Sequence, residues 1–410
     1  MSHHDPEPHP YRTKLSSHKP SQSPYDYELQ IYQKGLNYER PHLTFQSTSW
    51  EPQACARMSS ESKGYVYGSA GTRETDDKNR AAFKRYSLVP RRLTGHKTFP
   101  DLTTSIFGEK LQSPIAIAPV GVLRIFNPDG EVAVAKAAAK QSVPYIFSTA
   151  SSTSIEDAAH ANGADGQRWY QLYWPSREND NITLSLLSRA KKAGFTTLFV
   201  TLDTYLLGWR PSDMDNGYNP FMRADQIGVA LGFSDPVFRG QFKERHGVEV
   251  EEKMGTAAAE WMKIMFNGFS HSLDDVKFLQ EHWDGPIVLK GIQSVADAKA
   301  CKDLGVQGIV VSNHGGRQQD GGNSSLGVLP YIVDAVGDAL TVFFDSGVRC
   351  GADIAKALAL GADCVLIGRP YVYGLVLGGE GGVDHVLKSL VGELELTLHL
   401  AGIPSGSIHK

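Results

Sequence analysis

The feature that most constrains this chain is a rhythm. Between residues 113 and 367 eight short apolar runs recur, separated by segments with helical periodicity. The runs are 114–119 (PIAIAP), 145–148 (YIFS), 169–173 (WYQLY), 197–202 (TLFVTL), 286–289 (PIVL), 308–312 (GIVVS), 341–345 (TVFFD) and 364–367 (CVLI). Runs apolar at consecutive positions suit strands buried on both faces, as parallel strands are. The intervening pattern predicts helices over 130–141, 154–161, 178–193, 271–283, 294–304, 327–337 and 351–360. Glycine stands just before the next run in KKAGF, KDLGV and ALALGAD, where a left-handed residue closes a helix. Parallel strands need such crossovers, and eight βα repeats predict an α/β fold of the TIM (β/α)8 barrel type. A doubly wound sheet fits less well, because PVGVLR at 119–124 is not the G-x-G-x-x-G turn of that fold.

The rhythm breaks once. Residues 205–270 separate the fourth run from the next helix, and structureless loops of that length inside a domain are usually lids. Trp209, Phe221, Phe233, Trp261 and Phe266 predict an ordered cover with its own helix near 255–266. Upstream, residues 1–24 are rich in Pro, Ser and His and read as a disordered tail. His3, His4, His9 and His18 there read as solvated, not as a metal site. Residues 25–112 read as an N-terminal arm and helical lead-in, helical near 54–58, and 113–410 as the barrel.

Composition narrows the function classes. The chain carries 41 basic and 45 acidic residues, a net charge of −4, so no global basic field exists to hold nucleic acid or an anionic membrane. No apolar run reaches the roughly 18 residues of a membrane span, and MSHHDPEPHP lacks the basic and apolar regions of a secretory signal. Cys55, Cys301, Cys350 and Cys364 form no CxxC pair and read as reduced thiols, consistent with a cytoplasmic location.

In a TIM barrel the chemistry lies at the C-terminal ends of the strands. The polar residues falling there are Ser148, Gln171, Tyr173, Thr201, Asp203, Lys290, Ser312 through Arg317, Asp345, Gly347, Arg349, Gly368 and Arg369. His314, beside two glycines and Arg317, offers a base, backbone freedom and a carboxylate fork within a few residues. Asp203 is placed to orient His314 and stabilise its imidazolium form. Lys290, a lone cation on a buried strand, suits a delocalised anion in a cofactor. SGVR and GRP, after the seventh and eighth runs, suit a phosphate. Singly, His314 reads equally as a structural histidine, Asp203 as a cap and Gly315–Gly316 as a turn. Together these ordinary readings do poorly, because many strand ends independently bring polar groups to one barrel mouth.

SNHGGRQ at 312–318 resembles the active-site signature of the FMN-dependent α-hydroxy acid oxidases and dehydrogenases. The likeness runs from about residue 60 to the C-terminus and takes in PIAIAP, QLY, TLDT, LKG and GRP. STASSTSIED, QLYWP, TLDTYLLGWRPSDMDNGY and FSDPVFR are most similar to the lactate 2-monooxygenase branch. The resemblance implies a TIM barrel, FMN as cofactor, a small 2-hydroxy acid and oxygen as substrates, and a homotetramer or higher homo-oligomer. It implies His314 as the base, taking either the hydroxyl or the α-carbon proton, with Asp203 stabilising its protonated form. Arg317 and Arg210 would clamp the carboxylate, and Tyr65 and Tyr173 would hydrogen-bond the substrate. Tyr67 is a neighbouring alternative to Tyr65, and the spacing to Asn79-Arg80 favours Tyr65. Lys290 would sit beside the flavin N1–C2 carbonyl, and Pro119, Val120 and Gly121 beside N5. Ser148, Gln171 and Thr201 would bond the ring, and Ser312 joins the cofactor site. Asp345, Gly347, Arg349, Gly368 and Arg369 would hold ribityl and phosphate.

Three departures bear on substrate and acceptor. Ala150 replaces an aromatic found in many relatives and leaves room beside the substrate. Gly121 stands where many oxidases have alanine, and Ser346 where D-G-G is common; both resemble the monooxygenase branch. The N-terminal residues read as no cytochrome-like domain, which disfavours the haem-linked dehydrogenase type, and SIHK does not read as a peroxisomal S-K-L, which weakens a peroxisomal glycolate-oxidase role. The implied reaction is oxidation of L-lactate by oxygen with decarboxylation. The alternatives are an oxidase releasing keto acid and peroxide, or a tailoring oxidase acting on a larger substrate; a non-enzymatic flavin-binding protein would have lost His314, Arg317 or Arg210.

Overall fold

The computed structural model describes residues 25–95 and 97–403. The predicted N-terminal tail, with its four histidines, and the SIHK end lie outside the described residues. A short antiparallel hairpin, β1 (Thr104–Ile106) and β2 (Glu109–Leu111), precedes the barrel. Eight parallel strands then close on themselves: β3 (Ile115–Ile117), β4 (Tyr145–Ser148), β5 (Arg168–Tyr173), β6 (Leu198–Thr201), β7 (Ile287–Ile292), β8 (Gly308–Val311), β9 (Thr341–Phe344) and β10 (Cys364–Ile367), with β10 pairing back onto β3. All eight apolar runs are strands of a TIM barrel, as predicted.

Because side chains alternate along a strand, each continuous run serves two cores. Phe147, Tyr170, Val200, Leu289, Val311, Phe344 and Val365 face outward and pack against the helices. Ala116, Ile146, Trp169, Phe199, Val288, Val310, Phe343 and Cys364 face inward and form a separate apolar cluster at the N-terminal end of the barrel. The hairpin plugs that end with Ile106, Leu111 and Phe107. Two residues further along six of the strands, the interior turns polar: Ser148, Gln171, Thr201, Lys290, Ser312 and Asp345, all buried; on β3 and β10 it stays apolar with Ala118 and Leu366.

The crossover helices form as predicted within a few residues, several from legible start signals. Ser154, Ser294 and Ser324 cap Ile155–Asn162, Val295–Asp303 and Ser325–Val336, each hydroxyl accepting a backbone N–H. The helix predicted over 271–283 is shorter, Val276–His282, because 272–275 are tied in a turn by Asp275 and Ser272. Four helices of the arm, Asp26–Gly35, Ser47–Cys55, Ser60–Tyr67 and Glu74–Phe83, lead into the hairpin. The barrel ends on a 33-residue helix, Arg369–Ala401, kinked at Gly378 and Gly379.

The segment after β6 is ordered. The helix predicted near 255–266 is Met254–Met265, and a second, Pro236–His246, lies before it. Phe221, Phe238, Phe242, Val250 and Trp261 join the outer core. Trp209 does not: it is 73% exposed. Among the described residues no helix is long and apolar enough to cross a membrane.

Candidate active site

The polar mouth of the barrel opens into a cavity with about 930 Å³ of free space counted to its open mouth. Tyr65, Tyr173, Arg210, Lys290, His314 and Arg317 line one part of it, together with Pro119, Val120 and Gly121. Asp345, Gly347, Arg349, Gly368 and Arg369 also line it. Of the remaining expected site residues, Ser148, Gln171, Thr201 and Ser312 lie in the buried layer at the strand ends, and Asp203 stands behind His314. Tyr65, not Tyr67, lines the cavity.

The buried layer is wired together. Ser148 Oγ donates to Gln171 Oε1 at 2.7 Å, and Gln171 Nε2 to Thr201 Oγ1 at 2.9 Å. Lys290 Nζ donates to Ser312 Oγ at 3.1 Å and lies 3.7 Å from both Asp203 Oδ2 and Asp345 Oδ2. At that separation the two carboxylates act on Lys290 through charge. Burial works against the ammonium, but Asp203 and Asp345 outweigh it and hold its pKa above the usual lysine value. Burial would likewise raise Asp203; Lys290 and His314 outweigh it and hold the carboxyl well below its usual range. A bulge in β7 makes the approach possible: Gly291 has φ +109°, and a Cβ there would meet Asp203 Cβ at 3.0 Å.

His314 has φ +57°, rare for a residue with a side chain. Its Nδ1 lies 2.8 Å from Asp203 Oδ1 and 3.1 Å from Thr204 Oγ1, which itself donates to Asp203 Oδ1 at 2.7 Å. Because Asp203 is ionised, Nδ1 carries the proton and Nε2 the lone pair. Burial pushes the imidazole below its usual pKa, with Asp203 opposing, so the ring is neutral and basic at pH 7. Ser346, the departure from D-G-G, has φ +84°. Its hydroxyl accepts from Gly315 N at 3.0 Å and donates to Asp345 Oδ1 at 2.7 Å, tying the His314 loop to β9.

The arginines are more committed than their sequence context suggests. Arg317 Nη1 donates to Gly68 O at 3.0 Å and to Tyr65 O, and its guanidinium lies 4.8 Å from the Tyr65 ring centroid. Burial, with Arg210 and Arg369 nearby, pulls it down to about 9. Such a cation gains strongly from an anionic partner. Arg210 Nε donates to Arg317 O at 3.0 Å. Arg369 donates to Val66 O at 2.8 Å and Gly315 O at 3.0 Å and pairs with Asp76 at 3.4 Å. Arg349 is the least engaged: one bond of 3.0 Å to the adjacent Val348 O and a contact of 3.6 Å to Glu51. Burial, then the neighbouring Arg369, depresses it.

Three residues that matter here escaped sequence reasoning. Thr204 follows Asp203 and shares its contact with His314. Gln318 bonds Asp203, Leu206, Gly208 and Arg210. Asn79 pairs reciprocally with Asn313 at 2.8 Å, bracing the His314 loop on helix Glu74–Phe83. Thr204 and Gln318 lie inside the TLDT and SNHGGRQ motifs, which gave them no role of their own, and Asn79 served only as a spacing mark for Tyr65.

The departures at 121 and 150 prove to be one feature. A Cβ on Gly121 would stand 2.7 Å from Ala150 Cβ and 2.8 Å from Ala150 O, so alanine at 121 requires the 150 loop to shift.

Comparison with known proteins agrees with this geometry. The model of the FMN-dependent dehydrogenase family matches residues 54–408. An FMN-dependent alpha-hydroxy acid dehydrogenase of Schizosaccharomyces pombe is 62% identical over 385 residues, 94% of each chain. An L-lactate oxidase of Lysinibacillus sphaericus is 39% identical, over 83% of this chain and 85% of its own. A solved mandelate oxidase superposes with a TM-score of 0.76 at 34% identity, covering 90% of this chain and 97% of that one. The chain belongs to the FMN-dependent dehydrogenase family: it is an oxidoreductase, its cofactor is FMN, and its reaction class is the oxidation of α-hydroxy acids.

Proposed function

We propose that this FMN-dependent dehydrogenase oxidises a small L-2-hydroxy acid, L-lactate in the first instance, with oxygen as the final acceptor and decarboxylation of the keto acid before release. One observation carries the reading: a neutral His314, its Nδ1 held by Asp203, faces a cavity that also presents Arg210, Arg317, Tyr65 and Tyr173. That set matches a carboxylate, a hydroxyl and one proton to be removed.

The residues fit FMN. Arg349 and Arg369 supply two half-buried positive charges to the cavity, suited to a phosphate. A Cβ on Gly368 would meet nothing closer than Ala118 at 3.9 Å, so the space beside it is open. Lys290 provides a permanent cation for the electron-rich side of a reduced ring, and Asp203 Oδ2 is a buried acceptor with no hydrogen-bond partner in the protein. When bound, FMN accepts the two electrons of the oxidation.

The chain's own residues do the rest. Arg210 and Arg317 orient the carboxylate through planar forks. Tyr65 and Tyr173 fix the carboxylate and hydroxyl. His314 Nε2 removes the substrate proton, and Asp203 stabilises the imidazolium so formed. Leu207, Phe221 and Phe266 of the cover line the cavity and exclude water while the keto acid is held. Pyruvate kept under this cover while oxygen is reduced would meet the hydrogen peroxide formed and be decarboxylated by it, so that lactate and oxygen give acetate, carbon dioxide and water overall.

A second reading has its own observation. A narrow apolar annex lined by Ala150, Tyr173, Phe221, Met262, Met265 and Phe266 adjoins the main cavity and has room for about one water-sized group. Its flexible methionines can yield to a larger side chain, which favours an acid bulkier than lactate. The test is turnover of FMN-loaded protein with L-lactate and with L-mandelate in air, quantifying keto acid, decarboxylated acid and hydrogen peroxide. Acetate without free peroxide supports the leading reading; pyruvate with equal peroxide replaces it with an oxidase. Turnover of mandelate alone selects the second reading.

A further inference from the structure

Gln318 follows Arg317 and carries no charge, yet its amide uses all of its hydrogen-bonding capacity. Nε2 donates to the carbonyls of Asp203 at 3.0 Å and Leu206 at 2.8 Å. Oε1 accepts from Gly208 N at 3.2 Å and from the Arg210 guanidinium. The amide fits only this way round, since two carbonyls require donors and two N–H groups require an acceptor. These four partners span residues 203–210, which leave β6 and run without helix or strand to the turn of helix Pro211–Asp215. The segment carries Asp203 at one end and Arg210 at the other. Gln318 itself is four residues after His314 and directly follows Arg317.

We propose that Gln318 is a positioning residue that sets Asp203–His314 and Arg210 in register, so that the base and the carboxylate fork act on one substrate. This rests on the proposed function above. Its two halves are separable. The donor half holds the backbone that carries Asp203. The acceptor half holds Arg210. Gln318→Glu keeps an acceptor for Gly208 and Arg210 but sets a carboxylate against the Asp203 and Leu206 carbonyls, and so should misplace the base while sparing carboxylate binding. Gln318→Met removes both halves at similar volume.

The experiment uses the full FMN-loaded chain as wild type, Q318E and Q318M. It reads kcat and KM with L-lactate and L-mandelate, and the Kd of oxalate, an unreactive carboxylate probe, from the change in flavin absorbance. The expected result for Q318E is a kcat lowered about tenfold or more with an oxalate Kd within about threefold of wild type. For Q318M, kcat falls and the oxalate Kd rises about tenfold. Should Q318M fail to fold, the split in Q318E decides alone. Equal losses of kcat and oxalate affinity in Q318E, as general loosening gives, overturn the proposal; so do variants that match wild type. A wild type whose flavin neither acid reduces removes the functional reading beneath it, a different outcome from an active wild type whose variants show no split.

Discussion

The barrel interior has two halves built on the same strands, two residues apart. The lower half holds Ile146, Trp169, Phe199, Val288, Val310 and Phe343, closed by the hairpin. Phe343 packs edge-on against Phe199 with ring centroids 5.2 Å apart. The upper half holds Ser148, Gln171, Thr201, Lys290, Ser312 and Asp345 in the same directions. Below, apolar burial stabilises the fold and contributes nothing chemical. Above, charges are buried only because they are paired; burial keeps His314 neutral, and Asp203 orients it. Rigidity made in the lower half is what lets the upper half keep buried ions and positive φ angles at His314 and Ser346.

Substitutions can break or sharpen that contrast. The largest effect is expected for Asp203→Asn. An amide no longer dictates a proton on Nδ1 or stabilises the imidazolium, so flavin reduction by substrate should slow about a hundred- to ten-thousandfold, measured by anaerobic rapid mixing. Phe343→Ala should do the reverse, destabilising by about 3–5 kcal/mol in denaturant melts while the folded fraction keeps its kcat. A kcat loss there without loss of stability would erase the distinction between the halves. Arg317→Lys should raise the oxalate Kd about tenfold, because an ammonium cannot reproduce the fork. It should also lower the melting temperature, since Gly68 O and Tyr65 O lose their donor.

The smallest effect concerns pH. Protonation of Nε2 removes the lone pair, so the rate must fall as pH falls. Burial places that group below its usual value, so the acid limb of kcat/KM should lie below about pH 6.5. An acid limb well above that value would mean that Asp203 outweighs burial.

The lower and upper halves were unequally legible. Alternation is hard to see in a nearly continuous apolar run such as TVFFD, yet the polar residues within or just past most of the runs stood out. The hairpin was missed because three-residue strands of mixed burial show no period. The last helix was missed because LGGEGG at 377–382 reads as a loop, and Gly378 and Gly379 do leave helical geometry within it. Helix Pro236–His246 had signals that were passed over: Asp235 caps it, Pro236 opens it and Gly247 closes it in the left-handed region. The backbone contacts of Arg317 and Arg369 with residues 65–68 join segments some 250 to 300 positions apart, and no local pattern announces them.

The central claim is that His314, oriented from the polar half of the barrel, is the base. It is tested most directly by mixing His314→Ala with L-lactate without oxygen and following the flavin absorbance. The account predicts a folded, yellow protein with wild-type melting and oxalate binding whose flavin stays oxidised while the wild type bleaches. Bleaching of the variant at the wild-type rate would contradict it.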